Sequence, residues 1–401
     1  MKSRKFNDNW KEYVLYDLAN WKNGLAFNKI NFSEDGYPII KIAELKNGIT
    51  SQTNFTKDKC SEEVYLRKND LIFSWSGNPE TSIDAYLYDL PEGYLNQHSF
   101  KVTPHEFINK YFLFYVLKYL KPIFKKIASN KQTTGLGHIT ISDLKNLRIK
   151  IPTMEIQEKF LKIIKRIDDK IKLNNQTNDN LSEQLKQIFN NKFYDKIQNN
   201  DCSEFKEYIL YDVLDVIDNR GKTPKLVEVS NYPIIDVRAI SGENRIIDYK
   251  QCQKYVDDEV YNTFFRSGHP KINDILISTV GSLAEMKIYM ENKGTIAQNV
   301  VALRSKYDYP MYIYQYLKAI KNDLISYNIG SVQPSIKVTQ FMKHNIYIPK
   351  DKELYEFENI AKLYTDKMFN ISKENETLEQ LRDTLLPKLM NGEIDLDKIE
   401  I

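Results

Sequence analysis

Apolar and polar residues fall into two kinds of pattern along this chain, and each kind occurs twice. Short runs such as Tyr37–Ile42, Leu71–Phe73, Leu147–Ile151 and Ile275–Ser278 are rich in β-type apolar residues and are bounded by turn residues; they predict strands. Tyr111–Ile127 and Tyr312–Ile325 are rich in Leu, Ile and Lys and predict helices. Together these pieces describe an α+β globule. A different pattern follows each globule. From Glu155 to about Phe193 the chain has neither Gly nor Pro. Ile164, Ile167, Ile171, Leu181, Leu185 and Ile188, with Asn174 and Asn178, fill an unbroken a/d heptad series. Ala361, Tyr364, Met368, Ile371, Asn375, Leu378 and Leu385 repeat it, with Arg382 interrupting the a positions. Two matching seams in one chain most simply pack on each other, so the expected architecture is two globules and two long helices paired as an antiparallel coiled coil. Asn178 and Asn375 hold equivalent a positions, where a polar residue costs stability and fixes register.

The duplication is visible residue by residue. Trp10-Lys-Glu-Tyr-Val-Leu-Tyr-Asp-Leu18 recurs as Phe205-Lys-Glu-Tyr-Ile-Leu-Tyr-Asp-Val213, and Tyr37-Pro-Ile-Ile40 as Tyr232-Pro-Ile-Ile235. Asn69-Asp70 corresponds to Asn273-Asp274, and Asn96-Gln97-His98 to Ala297-Gln298-Asn299. His138-Ile139-Thr140 corresponds to Ser335-Ile336-Lys337, and Glu183-Gln184-Leu185 to Glu379-Gln380-Leu381. The order is kept throughout, which points to an internal, pseudo-twofold repeat. The copies align poorly between Thr50 and Tyr65 and between Gly77 and Tyr94. A rod with one globule for each copy suits a target with twofold-like geometry, and duplex DNA is the commonest such target.

Composition narrows the class. The chain has 401 residues, 42% of them hydrophobic and 28% charged, which describes a globular protein of two or more domains. No apolar stretch reaches membrane-spanning length, and the opening residues lack the apolar core of a signal peptide, so a cytoplasmic location and no membrane partner are expected. Three widely spaced cysteines, Cys60, Cys202 and Cys252, argue against a disulfide framework or a zinc site. Net charge is only +3, but between Phe107 and Met154 eight Lys and one Arg face a single acid, Asp143. That basic stretch is either a solvated face or a phosphate-neutralising surface.

Catalytic motifs fail one by one. Gly221-Lys222-Thr223 lacks the earlier glycine of a phosphate loop, since Val216 stands there. Gly135-Leu136-Gly137 is an isolated pair suited to a turn. The five histidines show no metal-ligand spacing. Asp274 followed by Glu285-Met286-Lys287 imitates a layout that some nucleases use to hold a divalent metal. A stand-alone, metal-dependent DNA nuclease is therefore the enzymatic alternative, although the first copy keeps only Asp70 of that set.

The repeat pattern resembles the specificity subunit of Type I restriction-modification enzymes over nearly the whole chain. Both copy openings carry the resemblance, with Tyr37–Gly48 behind the first. So do Thr133–Pro152 with Glu155-Ile-Gln-Glu158, and the terminal Leu385-Leu-Pro-Lys-Leu-Met-Asn-Gly-Glu-Ile394. The resemblance implies a non-catalytic subunit. Each globule would be a target-recognition domain reading one half of a split, asymmetric site in double-stranded DNA. The helices would set the unread gap and dock two methyltransferase subunits and restriction/translocase subunits. S-adenosylmethionine, ATP and Mg would be bound by those partners, and no cofactor by this chain. The implied boundaries are 1–153 and 199–350 for the recognition domains, 154–198 for the first spacer helix, and 351–401 for the second helix with its tail.

Sequence readout needs side chains at base edges, and phosphate contacts fix register. The candidates lie in loops after strands. In the first copy they are Lys41, Ser74, Trp75, Ser76, Asn78, Gln97, His98, Lys131, Gln132, Thr133, Thr134 and His138. In the second they are Arg238, Ser278, Thr279, Ser282, Gln298, Asn299, Gln333, Ser335 and Lys337. Each is also open to a structural role: Gln97 and Gln298 recur and could belong to the frame, and Trp75 could be core.

Overall fold

The computed structural model describes residues 9–28, 31–131, 135–221, 223–330, 333–394 and 396. The chain is mixed helix and sheet and divides into two compact units, Met1–Asp169 with Leu378–Ile401, and Lys170–Thr377. Each unit therefore holds one globule together with part of both long helices, Met154–Phe189 and Asp351–Met390.

In the first unit, strands Ala19–Asn23, Ser99–Pro104, Leu71–Ser74 and Asp84–Leu87 form an antiparallel sheet in that order. All four residues of Leu71–Ser74 are buried. Leu71 and Phe73 join Phe112, Val116 and Phe124 of the helix Lys110–Asn130 on one side. Ile72 joins Ile40, Val64, Leu66 and Leu95 in a separate cluster. Burial on both faces explains why this run shows no polar alternation. The predicted strand at Tyr37 ends at Ile40, because Ile42–Asn47 turns into a short helix. Tyr37–Ile40 runs parallel to Gly93–Leu95. Trp10–Val14 pairs with Arg148–Pro152 and brings the ends of the globule together. The first long helix leaves from there and buries Ile156, Phe160, Leu161 and Ile164 beside Leu386, Leu389 and Met390 of the second. Gln157, fully buried, accepts from the Asn109 N–H at 2.8 Å, at the start of the globule's helix. Arg382, which breaks the heptad, donates to Asp168 at 2.9 Å. The Tyr115 hydroxyl donates to the same carboxylate.

The second unit repeats this plan. Leu214–Ile217, Val300–Ser305, Ile275–Ser278 and Met286–Ile288 form the equivalent sheet. Tyr232–Ile235 runs parallel to Thr295–Ile296, and Phe205–Ile209 pairs with Asn345–Pro349 in the register of its counterpart. Ile275 and Ile277 face one cluster, and Leu276 faces another with Ile235 and Tyr289. The helix expected over Tyr312–Ile325 is two helices, Pro310–Ala319 and Lys321–Ser326. Glu358 of the second long helix accepts from the Met311 and Tyr312 N–H groups at 3.1 and 2.8 Å, so it caps this helix as Gln157 caps the other. Burial pushes the Glu358 carboxyl up to about 7, against the pull of those two N–H groups.

The long helices run antiparallel within each unit. In the second, Asn174 bonds Asn375 at 2.8 Å, while Phe189 lies 5.6 Å from Phe357, ring to ring. In the first, Asp168 meets Arg382 and the residues before it meet those after it. Ile164, Ile167, Leu185, Met368, Ile371, Asn178 and Asn375 are buried, and Ile171, Leu181, Ile188, Tyr364, Leu378 and Leu385 are half-buried. The two a-position asparagines do not meet. Asn375 bonds Asn174 and Asn175, and Asn178 reaches the Met368 carbonyl at 3.4 Å. Antiparallel pairing sets an a position against a d position, and Asn174 is a d residue.

The repeated Asn-Asp pair is a turn. Asn69 and Asn273 adopt φ of 67° and 74°, a left-handed conformation that asparagine tolerates well. Asp70 and Asp274 each accept from the backbone N–H three residues earlier, at 2.8 and 2.7 Å.

Candidate nucleic-acid interface

Three segments of the first unit meet at Trp75. Its N–H donates to the His98 carbonyl at 3.3 Å, and its carbonyl accepts from the Ile139 N–H at 2.8 Å. Ser76 then pairs with His138. The second unit builds the same crossing at Thr279. Its N–H donates to the Asn299 carbonyl at 2.9 Å, its carbonyl accepts from Ile336 at 2.9 Å, and Val280 bridges Ser335. Backbone hydrogen bonds thus equate Trp75, His98 and His138 with Thr279, Asn299 and Ser335. Two residues beyond each crossing residue stands a glycine with positive φ, Gly77 at 126° and Gly281 at 87°. A side chain would strain either position.

The loop after each crossing is closed by one device. The Ser278 hydroxyl donates to the Ser282 carbonyl at 2.5 Å, four residues on. The Ser74 hydroxyl donates to the Ser82 carbonyl, eight residues on. The first unit therefore carries a loop four residues longer on the same base. Ser74, Ser278 and Thr279 are fully buried, so among the candidates these three side chains support the frame and do not face solvent. Strand burial on both faces puts the two serines inside, and Thr279 follows directly on the second strand.

Other candidates are more open. His98, Asn78 and His138 are exposed, and Ser76 and Gln97 are half-buried. Trp75 is half-buried; its indole N–H donates to Asn23 at 2.9 Å and its ring stacks on Phe100 at 5.8 Å. Lys41 sits 5.6 Å from the Phe32 ring. The Lys131 ammonium bonds both Asp143 oxygens at 2.6 Å, so its charge is shared within the chain. Gln132, Thr133 and Thr134 lie outside the described residues. In the second unit, Ser282, Gln333 and Lys337 are exposed, and Gln298 is exposed and donates to Thr223. Ser335 and Asn299 are half-buried. The Arg238 guanidinium is held by Asp236 at 2.6 Å and Gln253 at 2.7 Å.

The nuclease-like spacing does not assemble a metal-holding donor set. Asp274 takes a two-pronged bond from Arg304, at 3.0 and 2.7 Å. Glu285 is bonded by Lys321 at 2.8 Å and by the Gly242 N–H. Lys287 is buried in its strand, which lowers its ammonium to about 8. Among the described residues no group of three His, Cys, Asp or Glu side chains could hold a metal ion.

One repeated ion-pair pattern escaped the sequence. Lys118 bonds Asp84 at 2.7 Å and Lys121 bonds the other oxygen, which ties the globule's helix to the far end of the loop. Burial alone would push the Asp84 carboxyl up, but the two ammonium groups outweigh it and hold it below the usual range. Lys321 with Glu285 is the equivalent clamp. The lysines stand at equal distances from their helix starts, Lys110 and Pro310, and that spacing was the available signal. Their acids fall where the two copies align poorly.

Comparison with known proteins matches the Type I restriction modification DNA specificity domain to residues 7–183 and again to residues 202–385. The chain belongs to that family. Family membership makes it a non-catalytic specificity subunit, and the nuclease alternative has no support. The Type I restriction enzyme HindI specificity subunit of Haemophilus influenzae is 25% identical, covering 96% of this chain and 99% of that one. The MjaIX specificity subunit of Methanocaldococcus jannaschii is 23% identical, covering 90% and 85%. The crystal structure of a Type I restriction-modification S subunit from M. genitalium shares the fold, with a TM-score of 0.53 at 19% identity over 96% of this chain and 97% of that one. Among the described residues of this specificity-family chain, no helix is long and apolar enough to cross a membrane.

Proposed function

We propose that this chain selects the DNA site for a Type I restriction-modification complex in the cytoplasm. Residues 1–153 and 199–350 act as recognition domains for the two halves of a bipartite, asymmetric duplex site. The helices at 154–198 and 351–401 space the halves and dock two methyltransferase subunits, with restriction/translocase subunits joining them. S-adenosylmethionine, ATP and Mg belong to those partners, and this chain contributes readout alone. The observation that supports this best is the repeated crossing at Trp75 and Thr279, where one backbone frame carries unlike side chains beside exposed loops. Reconstitution is the test. Co-expressed with its methyltransferase subunit, the chain directs N6-adenine methylation to one defined sequence; the chain alone with DNA and Mg²⁺ leaves the DNA uncut. Methylation that is equally sequence-specific without this chain overturns the reading.

A further inference from the structure

Two positions in each unit set the base preference of that unit: we infer that His98 and His138, on the crossing at Trp75, do so in the first, and Asn299 and Ser335, on the crossing at Thr279, in the second. The inference rests on the proposed DNA-reading role and narrows it to side chains.

The positions are equivalent by hydrogen bonding, not by appearance. In both units the crossing residue donates to the carbonyl of His98 or Asn299 and accepts from the residue after His138 or Ser335. Both crossings end on a positive-φ glycine and a serine-closed loop. The frame is therefore shared, while the side chains at both positions differ. In a duplicated reader, residues that differ on an identical frame are those able to distinguish its two targets.

The two surfaces also differ in shape and chemistry. In the first unit, Trp75 is locked from below by Phe100 and Asn23, and the His98 ring meets it edge-on at 5.9 Å. His98 and His138 are exposed, so the crossing projects two imidazoles, each able to donate to or accept from a base edge. In the second unit the crossing residue Thr279 is buried, and the same two positions hold the half-buried Asn299 and Ser335. Asn299 Oδ1 has no hydrogen-bond partner among the described residues. An acceptor left without a donor takes one from water or, at an interface, from a base edge. Exocyclic amino groups of adenine or cytosine in the major groove supply one, and an asparagine amide pairs with adenine at two points.

A graft tests the assignment. His98→Asn and His138→Ser, both confined to exposed residues, are combined in the chain co-expressed with its methyltransferase subunit, and N6-methyladenine sites are mapped. The expected result is a changed preference in one half-site, with the other half-site and the gap unaltered. For this double variant, competition binding with duplexes varied one base pair at a time should show about a tenfold change in relative affinity at one or more positions of that half-site. An unchanged site in the double variant with full methylation overturns the inference and leaves the DNA-reading role intact. A wild-type complex with no bipartite preference defeats that role itself.

Discussion

The two units differ in an ordered way. What they share lies mostly inside: the crossing hydrogen bonds, the closing serines Ser74 and Ser278, and the helix-capping contacts from the long helices, with the left-handed Asn69 and Asn273 at matching surface turns. What they do not share is concentrated at the loop tips and around the crossings, where the first unit has a longer loop and exposed rings. A duplicated binding protein separates its tasks this way. Interior positions answer to packing, which is common to both copies, and outer positions answer to the target, which need not be.

The comparison breaks first at the aromatic contacts with the long helices. Phe160 meets Phe112 at 5.0 Å, and the equivalent Phe357 meets Tyr312 at 6.2 Å. Phe160→Ala and Phe357→Ala should each cost about 3–5 kcal/mol in urea unfolding. A loss confined to one of them would show that the frames are not equivalent. A smaller effect sharpens the contrast between Gln157 and Glu358. The Glu358 carboxyl titrates near 4.5 when unfolded and at about 7 when folded, so between those values the folded state holds the extra proton. Stability from this site is therefore full below pH 4.5 and lost as pH rises through 7, by on the order of 3 kcal/mol. Glu358→Gln should flatten that slope in pH-dependent melting, and Gln157→Glu should import one into the first unit. The smallest effect belongs to the loop closures. Ser74→Ala and Ser278→Ala should each cost about 1 kcal/mol. Proteolysis should expose a larger difference in the first unit, whose closure spans eight residues against four.

Much of this architecture was legible in the sequence. Heptad spacing from Ile164 to Ile188 marked the seam, and the recurrence of Tyr37-Pro-Ile-Ile40 at Tyr232 marked the duplication, because packing constrains both. The partnering of the asparagines was not legible: a one-helix register identifies a positions but not which d position lies opposite, and Asn375 meets Asn174. Ser74 and Ser278 looked like loop-end contacts because strand alternation normally turns such residues outward. A strand buried on both faces turns them inward. The ion clamps of Asp84 and Glu285 were only half legible: the lysines recur at equal spacing from their helix starts, but the acids they meet lie on distant segments that only folding brings to the helix.

The account stands on one shared frame bearing two unlike reading faces. Single-molecule mapping of N6-methyladenine in DNA modified by the complete complex tests this most directly. The predicted result is a bipartite site whose halves differ in sequence, separated by a gap of fixed length. A perfectly palindromic site would contradict it.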